Sequence, residues 1–192
     1  MVLRVTKLGE EILRQKAVPV AEVNDEIRQL AEDMFETMIE AEGVGLAAPQ
    51  IDRNIRMFVL IADDDVRRVF INPQIIKTSA EVCDYDEGCL SIPQIYETIT
   101  RPEKVTVQAL NEKGKPFTLE ADGFLARIIQ HEYDHLEGIL YIDRGDKDFA
   151  AKTEAQFKKR AERALEKQKE KEAKAARIAA KIAAKEAKKN KK

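Results

Sequence analysis

The chain has 192 residues, 44% of them apolar and 35% charged, with a formal net charge of −2. This length suits one domain of about 100–200 residues plus an extension; no run reaches the ~18 consecutive apolar residues of a membrane span, and the two cysteines, Cys83 and Cys89, are too few for a disulfide framework. Residues 151–192 hold 16 Lys and Arg against 6 Asp and Glu, a net of +10, which leaves −12 on the first 150 residues, and a basic tail on an acidic body points to an acidic partner such as nucleic acid.

Met1-Val2-Leu3-Arg4-Val5-Thr6 has no basic stretch followed by an apolar one, so a cytosolic protein folded almost from Met1 is expected. Residues 1–23 read as irregular. Lys7-Leu8-Gly9-Glu10 is a turn signal, and Pro19 disfavours helix at Val18. Asn24 then caps a helix whose first turn carries Asp25 and Glu26, which complement its dipole. Ile27, Leu30, Ala31, Met34, Met38 and Ile39 fall on one face at helical spacing. The helix ends before Gly43, and its apolar face is expected to cover a sheet.

Gly43-Val44-Gly45-Leu46-Ala47-Ala48-Pro49-Gln50 follows. Two glycines among small residues permit close backbone approach. By itself this reads as a glycine turn with ordinary packing, and no Lys-Ser/Thr follows to make it a phosphate loop. Ile55–Ile61 and Val69–Ile76 are rich in β-branched residues and read as strands, as do Thr98–Thr100, Val105–Val107 and Phe117–Ala121, with Lys113-Gly114-Lys115 as a hairpin turn. Short strands with segregated helices indicate an α+β fold of mainly antiparallel sheets. Cys83 reads as a small buried hydrophobe.

Asp122 caps the next helix and Gly138 ends it. It carries Gln130-His131-Glu132-Tyr133-Asp134-His135, which contains both histidines of the chain. This is the H-E-x-x-H pattern: two imidazoles at i and i+4 hold one metal ion, and the glutamate serves as general base. A helical projection places Phe124, Leu125, Ile128, Ile129, His131, Glu132, His135 and Leu136 within one inward arc of about 160°. Arg127, Gln130, Tyr133, Asp134 and Glu137 fill the opposite arc. An inward glutamate must have a partner, because a bare buried carboxylate costs several kcal/mol, and a metal-held water supplies one. A catalytic site of this kind takes three protein ligands. With no third histidine, the remaining ligand is a downstream carboxylate such as Asp143 or Glu154, or a cysteine thiolate.

Three blocks together resemble the signature motifs of peptide deformylase, in family order: Gly43-x-Gly45-x-Ala47-Ala48-x-Gln50, then Glu87-Gly88-Cys89-Leu90-Ser91, then Gln130-His131-Glu132-x-Asp134-His135-Leu136-x-Gly138. The resemblance covers residues 1–147, which it implies are the catalytic domain, with mixed, mainly antiparallel sheets packed around the central H-E-x-x-H helix. It implies Cys89, His131 and His135 as metal ligands, with Fe²⁺ the usual ion and Zn²⁺, Ni²⁺ or Co²⁺ able to substitute. It implies release of formate from the formylmethionine of new polypeptides in the bacterial cytoplasm. Glu132 is then the general base, and the Gln50 amide and the Leu90 N–H are oxyanion donors. The substrate is expected to lie along Val44 and Gly45 as an added strand, near Gly88. Its methionine side chain enters a pocket built from Val44, Tyr85, Phe124, Arg127, Ile128 and His131. Tyr85 and Arg127 depart from the aliphatic residues often found at those positions, and Arg127, on the outer arc, is expected to rim the pocket. Tyr96 falls near the groove mouth.

From about Lys147 the composition turns to Ala, Lys, Glu and Arg, all strong helix formers. No aromatic follows Phe157. Residues 148–192 are therefore expected to be a solvated helical or partly disordered extension, and some deformylases dock on the ribosome through a C-terminal helix. A basic arm suits ribosomal RNA.

Overall fold

The computed structural model describes the backbone of residues 1–189 and the side chains of residues 1–177. It divides into two units, Met1–Ala150 and Ala151–Lys192.

In the first unit, helix α1 (Asp25–Glu40) begins where the sequence places it. The Asn24 side chain accepts a hydrogen bond from the Ile27 N–H, satisfying one of the unpaired donors of the first turn. Seven strands follow: β1 (Gly45–Ala47), β2 (Met57–Ile61), β3 (Arg67–Thr78), β4 (Val82–Cys89), β5 (Ile92–Pro102), β6 (Lys104–Leu110) and β7 (Pro116–Asp122). Five of them form an antiparallel sheet in the order β1-β2-β3-β6-β7, while β4 and β5 pair as a separate hairpin. Strand β3 is longer than Val69–Ile76 and shifts register between Ile71 and Gln74, where Pro73 has no N–H to offer a ladder. The 43–50 stretch is not a plain turn: it forms the edge strand β1 and a 3-10 turn, Ala48–Ile51.

Alternation along the strands gives the sheet two apolar faces. Met57, Val59, Val69 and Ile71 pack with Ala31, Met34, Phe35 and Met38 of α1. Phe58, Leu60 and Phe70 pack on the opposite face with Ala126, Ile129 and Leu136 of helix α2 (Gly123–Leu136). The sheet is thus covered on both sides, and α2, which carries the H-E-x-x-H residues, is the inner layer of one of them. Asp122 occupies the N-cap position of α2 with extended backbone, but its side chain makes no capping bond. Gly138 stops the helix with φ +72°, and a Cβ there would lie 2.7 Å from the Arg14 carbonyl oxygen, so glycine is required twice over.

Two expectations are corrected here. Cys83 is half-buried, not enclosed in a core. The outer arc of α2 does not face water: Arg127, Gln130 and Asp134 are all buried. The β4–β5 hairpin supplies their partners. Arg101 of β5 donates to Asp134 Oδ2 at 2.6 Å, and Gln130 Nε2 donates to the Pro102 carbonyl at 2.9 Å.

The second unit is helical through Lys189, as part of helix α3 (Lys147–Lys189). Every described side chain from Lys158 to Arg177 is exposed, which fits a segment held by helix propensity and not by an apolar face.

Candidate active site and metal centre

Three parts of the first unit converge on one point. The C-terminal end of β4 brings Cys89, the C-terminal half of α2 brings His131, Glu132 and His135, and the 3-10 turn after β1 brings Gln50. One ligand atom each from Cys89, His131 and His135 lies within 4.8 Å of the others. Cys89 Sγ stands 3.3 Å from His135 Nε2. Around the sulfur, Gln50 Nε2 at 3.3 Å and the Ser91 N–H at 3.4 Å are hydrogen-bond donors.

The orientation of His131 is set from behind. Its Nδ1 lies 2.9 Å from Glu87 Oε2, and Glu87 also accepts bonds from Arg101 at 2.7 and 2.9 Å and from Arg127 at 2.9 Å. Burial opposes ionisation of Glu87, but its hydrogen bonds from His131 and Arg101 outweigh burial and hold the carboxyl well below the usual range. An ionised Glu87 makes Nδ1 the donor and leaves Nε2 of His131 as the ring's ligand atom. Burial alone would lower the pKa of His131, yet Cys89 and Glu87 raise it well above its ordinary value, while burial and the neighbouring His131 push His135 well below its own. Burial pushes the Glu132 carboxyl up to about 7. Glu132 Oε2 and His135 Nδ1 are buried with no hydrogen-bond partner among the described residues. A thiolate, two imidazoles and an orphaned carboxylate oxygen fit a three-ligand metal site with one open position.

Gln50 is almost fully buried, and its amide has one orientation. Oε1 accepts from the Ala47 N–H at 2.8 Å, so Nε2 points to the Cys89 side, where it also reaches Ser91 Oγ at 3.2 Å. Gly45 touches the general-base candidate: a Cβ there would lie 2.3 Å from Glu132 Oε1. The Val44 carbonyl accepts from the Ile61 N–H of β2, so by alternation the N–H and C=O of Gly45 point away from β2, toward the open edge.

A cavity of about 590 Å³ opens on this constellation. Its wall includes every residue expected there: Val44, Gly45 and Gln50 from the β1 region, Tyr85, Gly88, Cys89 and Leu90 from the hairpin, and Phe124, Arg127, Ile128, His131 and Glu132 from α2. Arg127 is part of the buried wall, not an exposed rim. His135 sits behind it. Tyr96 also lines the mouth and lies over Gly88, where a Cβ would come within 2.6 Å of its ring. Lys7 lines it as well, donating to the Leu90 carbonyl at 2.8 Å. Sequence reasoning quoted Glu87 only as part of a motif and gave no role to Arg101 or Ser91. The available signal was Glu87 beside Gly88-Cys89, a carboxylate next to a candidate ligand.

This α+β fold, with a Cys-His-His cluster and a buried glutamate at the floor of a cavity, defines a hydrolase site of the H-E-x-x-H class. The sequence profile of the polypeptide deformylases matches residues 2–150, and the chain belongs to that metal-dependent family. It is 54% identical over 140 residues to a peptide deformylase of Treponema pallidum (strain Nichols), covering 73% of this chain and 86% of the relative. To a peptide deformylase of Neisseria meningitidis serogroup B it is 47% identical over 165 residues, covering 85% and 98%. Among solved structures, the peptide deformylase of Legionella pneumophila superimposes with a TM-score of 0.77 at 39% identity, covering 85% of this chain and 99% of the other. That of Ehrlichia chaffeensis in complex with actinonin does so with a TM-score of 0.80 at 34% identity, covering 83% and 97%.

Proposed function

We propose that this chain hydrolyses the formyl group from the N-terminal formylmethionine of newly made polypeptides, releasing formate, with Fe²⁺ held by Cys89, His131 and His135. The observation that carries the reading is the Cys-His-His cluster facing Glu132 at the floor of the cavity. When bound, a divalent metal supplies Lewis acidity to a water and to the formyl oxygen; Zn²⁺, Ni²⁺ or Co²⁺ can supply it too.

The substrate chain extends along β1 as an added strand, accepting a hydrogen bond from the outward N–H of Gly45 and donating one to its C=O. Its first side chain enters between Val44, Tyr85, Phe124, Arg127 and Ile128, with Gly88 and His131 beside it. Glu132 takes a proton from the attacking water, and a carboxyl poised near 7 suits that task at neutral pH. Oxygen adds to the formyl carbon, and the developing negative charge on the formyl oxygen is met by Gln50 Nε2 and the Leu90 N–H. The C–N bond then breaks. Glu132 returns its proton to the departing amine, so one water is consumed and formate and a free N-terminus are produced.

The test is formate release from a formyl-Met peptide by protein purified without air and loaded with Fe²⁺. Glu132→Gln is expected to retain metal and fold while turnover falls by about 10²–10⁴-fold. An unchanged turnover would refute the general-base assignment.

In this reading residues 1–147 form the catalytic domain of a bacterial cytosolic enzyme. Residues 148–192 form a basic arm attracted to ribosomal RNA, with affinity falling steeply as salt rises. Deletion of residues 151–192 should abolish cosedimentation with ribosomes at low salt; unchanged cosedimentation would refute the docking role.

A further inference from the structure

We infer that Arg127 is a positioning residue: it ties the wall of the substrate side-chain pocket to the metal ligand His131 through Glu87. The inference rests on the metal-site reading above.

Arg127 and His131 are one helical turn apart on α2, so they move as one rigid piece. Arg127 is buried and forms part of the cavity wall. A methionine or leucine would fill that wall without bringing a charge out of water, which costs several kcal/mol per ion before pairing. The guanidinium therefore needs a reason of its own, and its partners supply one. Nη1 donates to Glu87 Oε1 at 2.9 Å and to the Ile99 carbonyl at 2.9 Å; Nη2 donates to the Cys83 carbonyl at 2.7 Å. All three acceptors belong to the β4–β5 hairpin, the element that carries Cys89.

The ligands come from two separate elements, with Cys89 on β4 and the histidines on α2. Their relative placement depends on how the hairpin is fixed to the helix. Arg127 closes that joint. It grips both hairpin strands by their backbone and one oxygen of Glu87, while the other oxygen of Glu87 holds His131 Nδ1 at 2.9 Å. Arg101 also grips Glu87, but it stands on β5 and does not belong to the cavity wall. Of the two arginines on Glu87, Arg127 is the one that a substrate side chain touches. Filling the pocket therefore presses on the same joint that sets the plane of the His131 ring.

Arg127→Met keeps the stem and removes the fork. In metal-loaded protein, chelator-driven metal release should be about 10–100-fold faster than in wild type, the size typical of lost support behind a metal-binding imidazole. kcat for a formyl-Met peptide should fall by about tenfold, while KM changes by less than about threefold because the wall is retained. Ile71→Val, on the sheet face covered by α1, is a control for general destabilisation and should release metal at the wild-type rate. In metal-free protein, the His131 Nδ1–H resonance should be slowly exchanging in wild type and lost to exchange in Arg127→Met. If that variant does not fold, Arg127→Lys, which keeps the charge but not the fork, is read by the same assays and should release metal about 3–10-fold faster. Release within twofold of wild type with an unchanged Nδ1–H signal would overturn the inference and leave Arg127 a stabilising residue only. Failure of the wild-type protein to hold metal would overturn the metal-site reading instead, with the Nδ1–H signal still deciding the Arg127–Glu87–His131 linkage.

Discussion

Replacing Gly45 with alanine adds one methyl group at the most crowded contact of the site. The new Cβ would lie 2.3 Å from Glu132 Oε1, 2.8 Å from Cδ and 2.9 Å from Cγ, whereas ordinary contact begins at 3.4 Å. One of the two residues must yield by about 1 Å. Gly45 is pinned through β1, which pairs with β2 from Gly45 to Ala47, so the carboxylate yields. A 1 Å misplacement of a catalytic group costs about 10²-fold in rate, or about 2.7 kcal/mol of barrier. The fold should lose little. Gly45 has no left-handed backbone to protect, and alanine stiffens the unfolded chain by about 0.4–1 kcal/mol. The expected result is full metal content, a near-normal melting temperature and kcat for formate release down about 10²-fold. A kcat within threefold of wild type in the fully loaded variant would show that the position of Glu132 does not control the reaction.

Cys89→Ser should lose metal retention under chelator challenge while staying folded, because a neutral hydroxyl replaces a thiolate; retention at the wild-type level would move the third ligand to a carboxylate. Arg101→Met should be strongly destabilising. It strips Glu87 of two hydrogen bonds and Asp134 of one in a buried setting, and breaking such a network costs about 3–5 kcal/mol. Urea unfolding of the variant should show that loss, and a change below about 1 kcal/mol would mean that the remaining arginines, Arg127 on Glu87 and Arg144 on Asp134, carry the charge alone.

Helix α1 was legible because its signals are local. Asn24 lies next to the first turn it caps, and the apolar positions recur at helical spacing over 16 residues. The H-E-x-x-H turn was legible for the same reason, since its spacing is its chemistry. The hairpin was not. Strand β4 reads Val-Cys-Asp-Tyr-Asp-Glu-Gly-Cys, with half of it exposed and its one buried residue a glutamate, so no apolar alternation announces it. Its partner β5 was seen only at Thr98–Thr100, although it runs from Ile92 to Pro102. The projection of α2 failed at Arg127, Gln130 and Asp134 because a helical wheel weighs each residue against water. What satisfies them is the matching charge of Glu87 on Arg127 and of Arg101 on Asp134, 40 and 33 residues away, and the Pro102 carbonyl on Gln130, 28 residues away, and complementarity over that separation leaves no local trace. Three residues of strand at Gly45–Ala47 were too short for any periodicity to show.

Strand β1 lies at the edge of the five-stranded sheet. An unpaired edge usually invites aggregation, and proteins blunt it by keeping it short or covering it. Here both devices are present. The strand is three residues long and is followed at once by a 3-10 turn containing Pro49, and its open side faces a cavity whose opposite wall is the Gly88–Leu90 end of the hairpin. In the proposed reading this slot takes a single extended strand. The same geometry would then act as a filter on conformation, taking chain ends that are still extended before any side chain is read.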